Sequence, residues 1–86
     1  MNEDTEAVFE ALQNDECLYL ECERAARLAA VGNDEQDFRA ELAESLRRIT
    51  EDNRQYIPDF SNTDPIEYHN VDYDDIASLY RLEDYE

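Results

Sequence analysis

The sequence predicts an all-α protein: a small helical bundle built on an antiparallel helical hairpin with a short C-terminal helical arm. Three observations lead there. The 86-residue chain holds one Gly and two Pro, too few turn-forming residues for a fold of many short strands. Apolar residues recur at steps of three and four over two long stretches, the spacing that lines one face of a helix. Val, Leu, Ile and Phe make up about a fifth of the chain, just above the level below which a highly charged chain stays disordered. The core is therefore small, and one domain over residues 1–86 accounts for it. Residues 1–54 form the hairpin and residues 55–86 an acidic, Tyr-rich arm.

The first helical stretch runs from about Asp4 to Val31, with Asp4 or Thr5 as its cap. Val8, Phe9 and Leu12 make one apolar patch, and Leu18, Cys22, Ala25 and Ala29 continue it. The polar run Gln13-Asn14-Asp15-Glu16 lies between them, with a second capping residue in Asp15. The stretch is either one long helix or two that break near Asn14. Gly32 ends it, because glycine takes the left-handed conformation after a helix at little cost. Asn33 and Asp34 open the next helix, from about Glu35 to Asn53. There Phe38, Leu42, Leu46 and Ile49 give the clearest helical periodicity in the chain. A tight Gly-Asn-Asp turn makes the two stretches antiparallel.

Beyond Tyr56 the pattern changes. Ile57 precedes Pro58 and is extended, since a residue before proline avoids the helical region. Ser61-Asn62-Thr63 is a loop. Asp64-Pro65 carries the signature of a helix start, cap then proline, leading into a short turn that ends near His69. Asp72 or Asp74 caps a last helix through about Leu82, with Ile76, Leu79 and Tyr80 docked on the hairpin.

Charge narrows the function. The chain has 24 Asp and Glu against 7 basic residues, all Arg, and a net charge of −17. Direct nucleic-acid binding, which needs a basic face, is excluded by this balance. No apolar run is long enough to span a membrane, and Met1-Asn2-Glu3-Asp4 is acidic where a signal peptide starts basic. The expected location is the cytoplasm, or the host cytoplasm if the chain is phage-encoded. Cys17 and Cys22 lie about 140° apart on a helix, poor geometry for a disulfide, and read as free thiols. An acidic halophile protein would share this composition.

No constellation for catalysis is present. The carboxylates read as solvated, there is one His, and Ser45, Ser61 and Ser78 sit in no nucleophile motif. Neither an enzyme nor a cofactor is expected. Asp72-Tyr73-Asp74-Asp75 resembles the start of a calcium loop, with Glu83 at the twelfth position. Ile76 and Ala77 stand where a ligand and a glycine are required, so the run reads as a helix-capping cluster and no metal site is assigned. Glu35 and Arg39, Glu44 and Arg48, and Glu23 and Arg27 are spaced four apart, acid first, as helix-supporting pairs.

Two features point to a basic protein partner. Asp34, Asp37, Glu41, Glu44 and Glu51 form a row along the second helix, about 25 Å long at 1.5 Å per residue, with Glu3, Glu6 and Glu10 as a shorter row on the first. The cluster Asp72, Tyr73, Asp74 and Asp75 combines acids with an aromatic ring. Tyr85 joins it as a second tyrosine without a periodic apolar partner, whereas Tyr56, Tyr68 and Tyr80 can cover a thin core. Tyrosine among acids suits a surface rich in Arg and Lys. Rows of carboxylates at this spacing can occupy a groove built for phosphates, since duplex DNA carries one charge per about 1.7 Å. In size, charge and helical content the chain resembles the small acidic inhibitors that phages and mobile elements direct against restriction, CRISPR or DNA-repair enzymes. That resemblance implies a DNA mimic that binds the basic channel of a nucleic-acid-binding enzyme. The alternative is a non-enzymatic interaction module (antitoxin, adaptor or subunit) whose helical hairpin pairs through Phe38, Leu42, Leu46 and Ile49. A homodimer is compatible with either.

Overall fold

Asp15 divides the N-terminal helical stretch in two. Its backbone is extended, with φ −90° and ψ 119°, and its side chain accepts the N–H of Leu18. Helix α1 therefore spans Glu3–Asn14 and α2 spans Glu16–Ala30. A short polar residue that can cap the following turn competes with continuation of the helix, and here capping wins. The computed structural model describes residues 1–61 and 63–86, and these are mostly helical. After α2 come α3 (Glu35–Asp52), β1 (Phe60–Ser61), β2 (Asp64–Pro65) and α4 (Tyr73–Ala77), with single 3-10 turns at Arg54–Tyr56, Tyr68–Asn70 and Leu82–Asp84.

The start of α1 differs from expectation. Asn2 is the cap, its side-chain oxygen accepting from the Thr5 N–H at 2.7 Å. Its amide nitrogen also donates to the Asn70 carbonyl at 2.7 Å. Asp4 lies in the first turn, and Thr5 is buried inside the fold. Asn2 meets both demands because its amide carries an acceptor and a donor.

Gly32 follows α2 with φ 71°, the left-handed conformation that ends a helix and that side chains resist. Asn33 does not open the next helix. It donates to the Ala29 carbonyl at 2.7 Å and to the Glu41 carboxylate, closing the end of α2 and reaching α3. Asp34 caps α3 through the Asp37 N–H at 2.9 Å. At the far end Asn53 donates to the Ile49 carbonyl at 2.8 Å and to Glu21 of α2 at 3.3 Å. The pairing of α2 with α3 is the most extensive packing between elements, followed by α3 with α4 and α1 with α2.

The core collects Val8 and Leu12 of α1, Leu18, Cys22 and Ala26 of α2, and Phe38, Leu42 and Leu46 of α3. Ile57, Ile66, Val71, Ile76 and Leu82 close it from the C-terminal segment. On α2 Leu18, Cys22 and Ala29 are buried as their spacing predicts, Ala26 and Ala30 join them, and Ala25 is partly buried against the same core.

Two C-terminal assignments are corrected. Asp64-Pro65 starts no helix; it forms β2, antiparallel to β1 with Phe60 opposite Pro65 and Ser61 opposite Asp64. Proline's fixed φ and missing N–H are as compatible with a sheet edge as with a first helical turn. Ser61 accordingly lies in a strand, and the loop expected at Asn62 lies outside the described residues. The last helix stops at Ala77 instead of Leu82, where the Ser78 hydroxyl donates to the Asp75 carbonyl at 2.6 Å. Leu79 is consequently 54% exposed, and Leu82 takes the buried place. Asp72, of the two residues expected, is the α4 cap, accepting from the Asp75 N–H at 3.1 Å.

Candidate partner-binding surface

Helix α3 places Asp34, Asp37, Glu41, Glu44 and Glu51 on the surface, all exposed. Their exposure follows from the burial of Phe38, Leu42 and Leu46 on the opposite side of the same helix. The row is not uniform. Arg47, three residues after Glu44 and four before Glu51, binds both carboxylates. These two acids, Glu44 first, hold the Arg47 guanidinium above its ordinary range. Glu41 accepts from Asn33, and an oxygen of Asp34 is engaged as the cap. Negative charge is thus least compensated at the N-terminal end of α3, around Asp37.

The pairs expected at Glu35 and Arg39, Glu44 and Arg48, and Glu23 and Arg27 do not form among the described residues. Glu44 pairs with Arg47, which also reaches Glu51. Arg48 instead lines a groove of about 650 Å³ between α2 and α3, with Glu21, Arg24, Glu41 and Asp52. The place of Arg47 and Arg48 beside the acidic row was readable from their spacing, since residues three and four apart share a helix face.

The acid–tyrosine cluster sits beside the row. Glu44 and Arg47 share a groove of about 600 Å³ with Asp72, Tyr73 and Asp74. Asp72 and Asp74 are exposed, whereas Asp75 is half-buried and lies 4.0 Å from the N-terminal amine. Tyr73 is half-buried against the core. Burial raises its phenol above the usual range, with the Thr50 hydroxyl opposing the shift.

Tyr85 has apolar partners after all. Its ring lies 6.1 Å from that of Phe38 and 6.3 Å from that of Tyr80. Burial, reinforced by Glu23, pushes its phenol up. Both partners are remote in sequence or in an irregular turn, so periodicity could not reveal them. Tyr68 carries the guanidinium of Arg54 at 3.8 Å over its ring. Tyr56, expected as core cover, is 62% exposed, as is Phe60 at 56%.

Cys17 is exposed and Cys22 buried, both free thiols. Among the described residues no helix is long and apolar enough to cross a membrane, and no group of three His, Cys, Asp or Glu is arranged to hold a metal ion. No family model, curated protein or solved structure matches the chain.

Proposed function

We propose that the protein is a small acidic inhibitor of a nucleic-acid-binding enzyme or defence complex and acts, without catalysis, as a DNA mimic. The observation that carries this reading is the display of charge. Among the described residues no Asp or Glu is buried, and the body that presents them measures 41 × 23 × 17 Å. A duplex of that 41 Å length carries about 24 phosphates; the chain carries 24 Asp and Glu and a net charge of −17. In this reading α2 and α3 are an antiparallel hairpin that holds the α3 row rigid, and residues 55–86 are a short arm that adds Asp72 and Asp74. The partner is a basic protein surface in the cytoplasm of the cell. Steering by the summed field brings the two together, as it does for nucleic acid.

One observation favours a second reading, the interaction module. Leu20 and Leu28 are exposed on α2 and Val31 just past its end, and the spacing of the two leucines puts them on one side of that helix. Phe38, Leu42 and Leu46, expected to make such a pairing, are spent on the protein's own core. Capture of partners by the tagged protein at low and high salt separates the readings. A basic nuclease or defence complex held at low salt and released at high salt supports the mimic. A partner retained at high salt and lost with Leu28→Ser supports the module.

A further inference from the structure

We propose that the outward side of α2 is the contact through which two copies of this chain associate, antiparallel about a two-fold axis. Leu20, Arg24, Arg27 and Leu28 fall within an arc of about 100° on that helix, and Val31 stands just past its end. Leu20, Leu28 and Val31 are 55%, 69% and 75% exposed, and both arginines are exposed as well. The acids of the helix, Glu16, Glu21 and Glu23, border the arc on its two sides. The second observation is the state of the arginines. The chain carries 24 Asp and Glu, yet among the described residues neither Arg24 nor Arg27 forms an ion pair. Each is a charged donor set, held between aliphatic side chains and open to a partner.

The order of charge names the occupant. Along α2 the acids Glu16, Glu21 and Glu23 come first, and Arg24 and Arg27 follow. A helix with this order is complementary to itself run in the opposite direction. A two-fold contact is isologous: where residue i of one copy meets j of the other, j also meets i. With the axis at Arg24, Leu20 faces Leu28 of the second copy. The two Arg24 side chains diverge from the axis, each toward Glu21 of the second copy, less than one helical turn along. Arg27 comes within a turn of Glu23 of the second copy on the opposite edge. The net charge of −17 on each copy opposes association. At about 0.15 M salt, however, charges more than about 8 Å apart are largely screened, whereas those in contact are screened much less. One helix face is a small contact, so the association belongs to the weak, transient class.

The inference rests on the same exposed leucines as the module reading and names what covers them; the mimic reading, which uses the α3 row, is independent of it. To test it, sedimentation of the full chain with its thiols reduced is followed from about 5 to 500 µM at about 0.15 M salt, where a weak contact becomes populated. The weight-average mass should climb from 10.1 kDa toward its double. Arg24→Glu and Glu21→Arg, both at exposed positions, should each weaken self-association by about tenfold or more, since like charges then meet across the axis. An equimolar mixture of the two variants should recover association at least equal to that of the parent, because each supplies the charge the other lacks. No effect within one chain can produce that recovery. A mass that stays at 10.1 kDa over the whole range, or a mixture no more associated than its components, would overturn the proposal. A monomer that still displaces DNA from a captured enzyme would keep the mimic reading, and a monomer that holds a foreign partner through Leu28 would keep the module reading. A dimer that displaces DNA from no captured enzyme would keep this contact and remove the mimic.

Discussion

The Thr5 hydroxyl accepts the backbone N–H of Asp72 across 2.8 Å, joining the first turn of α1 to the residue that caps α4. Thr5 is fully buried. With the Asn2 amide on the Asn70 carbonyl, and with Gln13 donating to the Tyr80 hydroxyl at 3.3 Å, it ties the C-terminal segment along α1.

Thr5→Val keeps the shape of the side chain and removes the acceptor. The Asp72 N–H loses its partner, and stability should fall by about 1–3 kcal/mol. Urea unfolding checks this; an unchanged midpoint would contradict the role given to the bond.

Phe38 supports both α3 and the Tyr85 ring. Phe38→Ala should cost about 3–5 kcal/mol, much of what a domain this small can hold. Leu42→Ala should cost about 2–5 kcal/mol. Loss of the cooperative thermal transition, followed by circular dichroism, is the expected sign. A variant melting within a degree or two of the parent would mean that this side of α3 faces water.

The helices were legible because Phe38, Leu42 and Leu46 and the Asp15 and Asp34 caps are local signals, read from spacing and side-chain chemistry alone. The C-terminal segment was less so. Asp64-Pro65 satisfies two local structures equally, and the choice between them depends on pairing with Phe60 and Ser61. Leu79 and Leu82 compete for one buried place, and the early stop of α4 at Ala77 decides it. Of the candidate surface, the α3 row was legible as a face. Its compensation by Arg47 was readable but missed, and the exposure of Tyr56 and Phe60 depends on a chain path that no periodicity announces.

Alkaline pH should destabilise the fold through Cys22. Burial pushes its thiol up from 9.0 to about 11, reinforced by Glu21 and Glu23, with the Tyr80 hydroxyl opposing. The unfolded chain then loses this proton before the folded one. The stabilisation is complete below the unfolded value and is lost as pH rises from about 9 to 11. Tyr73, Tyr80 and Tyr85, also raised, act in the same direction higher in the range. Melting temperature should fall over this window, and less steeply at its start in Cys22→Ala. Parallel curves for parent and variant would contradict the burial of this thiol. A thiol reagent at neutral pH should meanwhile modify exposed Cys17 at once and Cys22 only on unfolding.

Added salt should stabilise the protein, because screening relieves repulsion among carboxylates in a chain of net charge −17. The melting temperature should rise from dilute to molar monovalent salt. An unchanged value would mean that the local pairing of Arg47 with Glu44 and Glu51 and similar contacts already balance the field.

Charge display as the basis of inhibition is tested most directly by displacement of labelled duplex DNA from a captured basic enzyme. Fluorescence anisotropy is followed as the protein is added at roughly 50 and 200 mM salt. The protein should compete with the DNA, and its affinity should drop as salt rises. Glu41→Gln should change it by less than about threefold, since single exposed charges contribute little. Reversal of Asp37, Glu41 and Glu44 together should weaken it by about tenfold or more, chiefly through slower association. Arg47→Gln, which frees Glu44 and Glu51, should strengthen it. An enzyme that binds the protein and its DNA simultaneously at full affinity, with no response to these charges, would contradict the account.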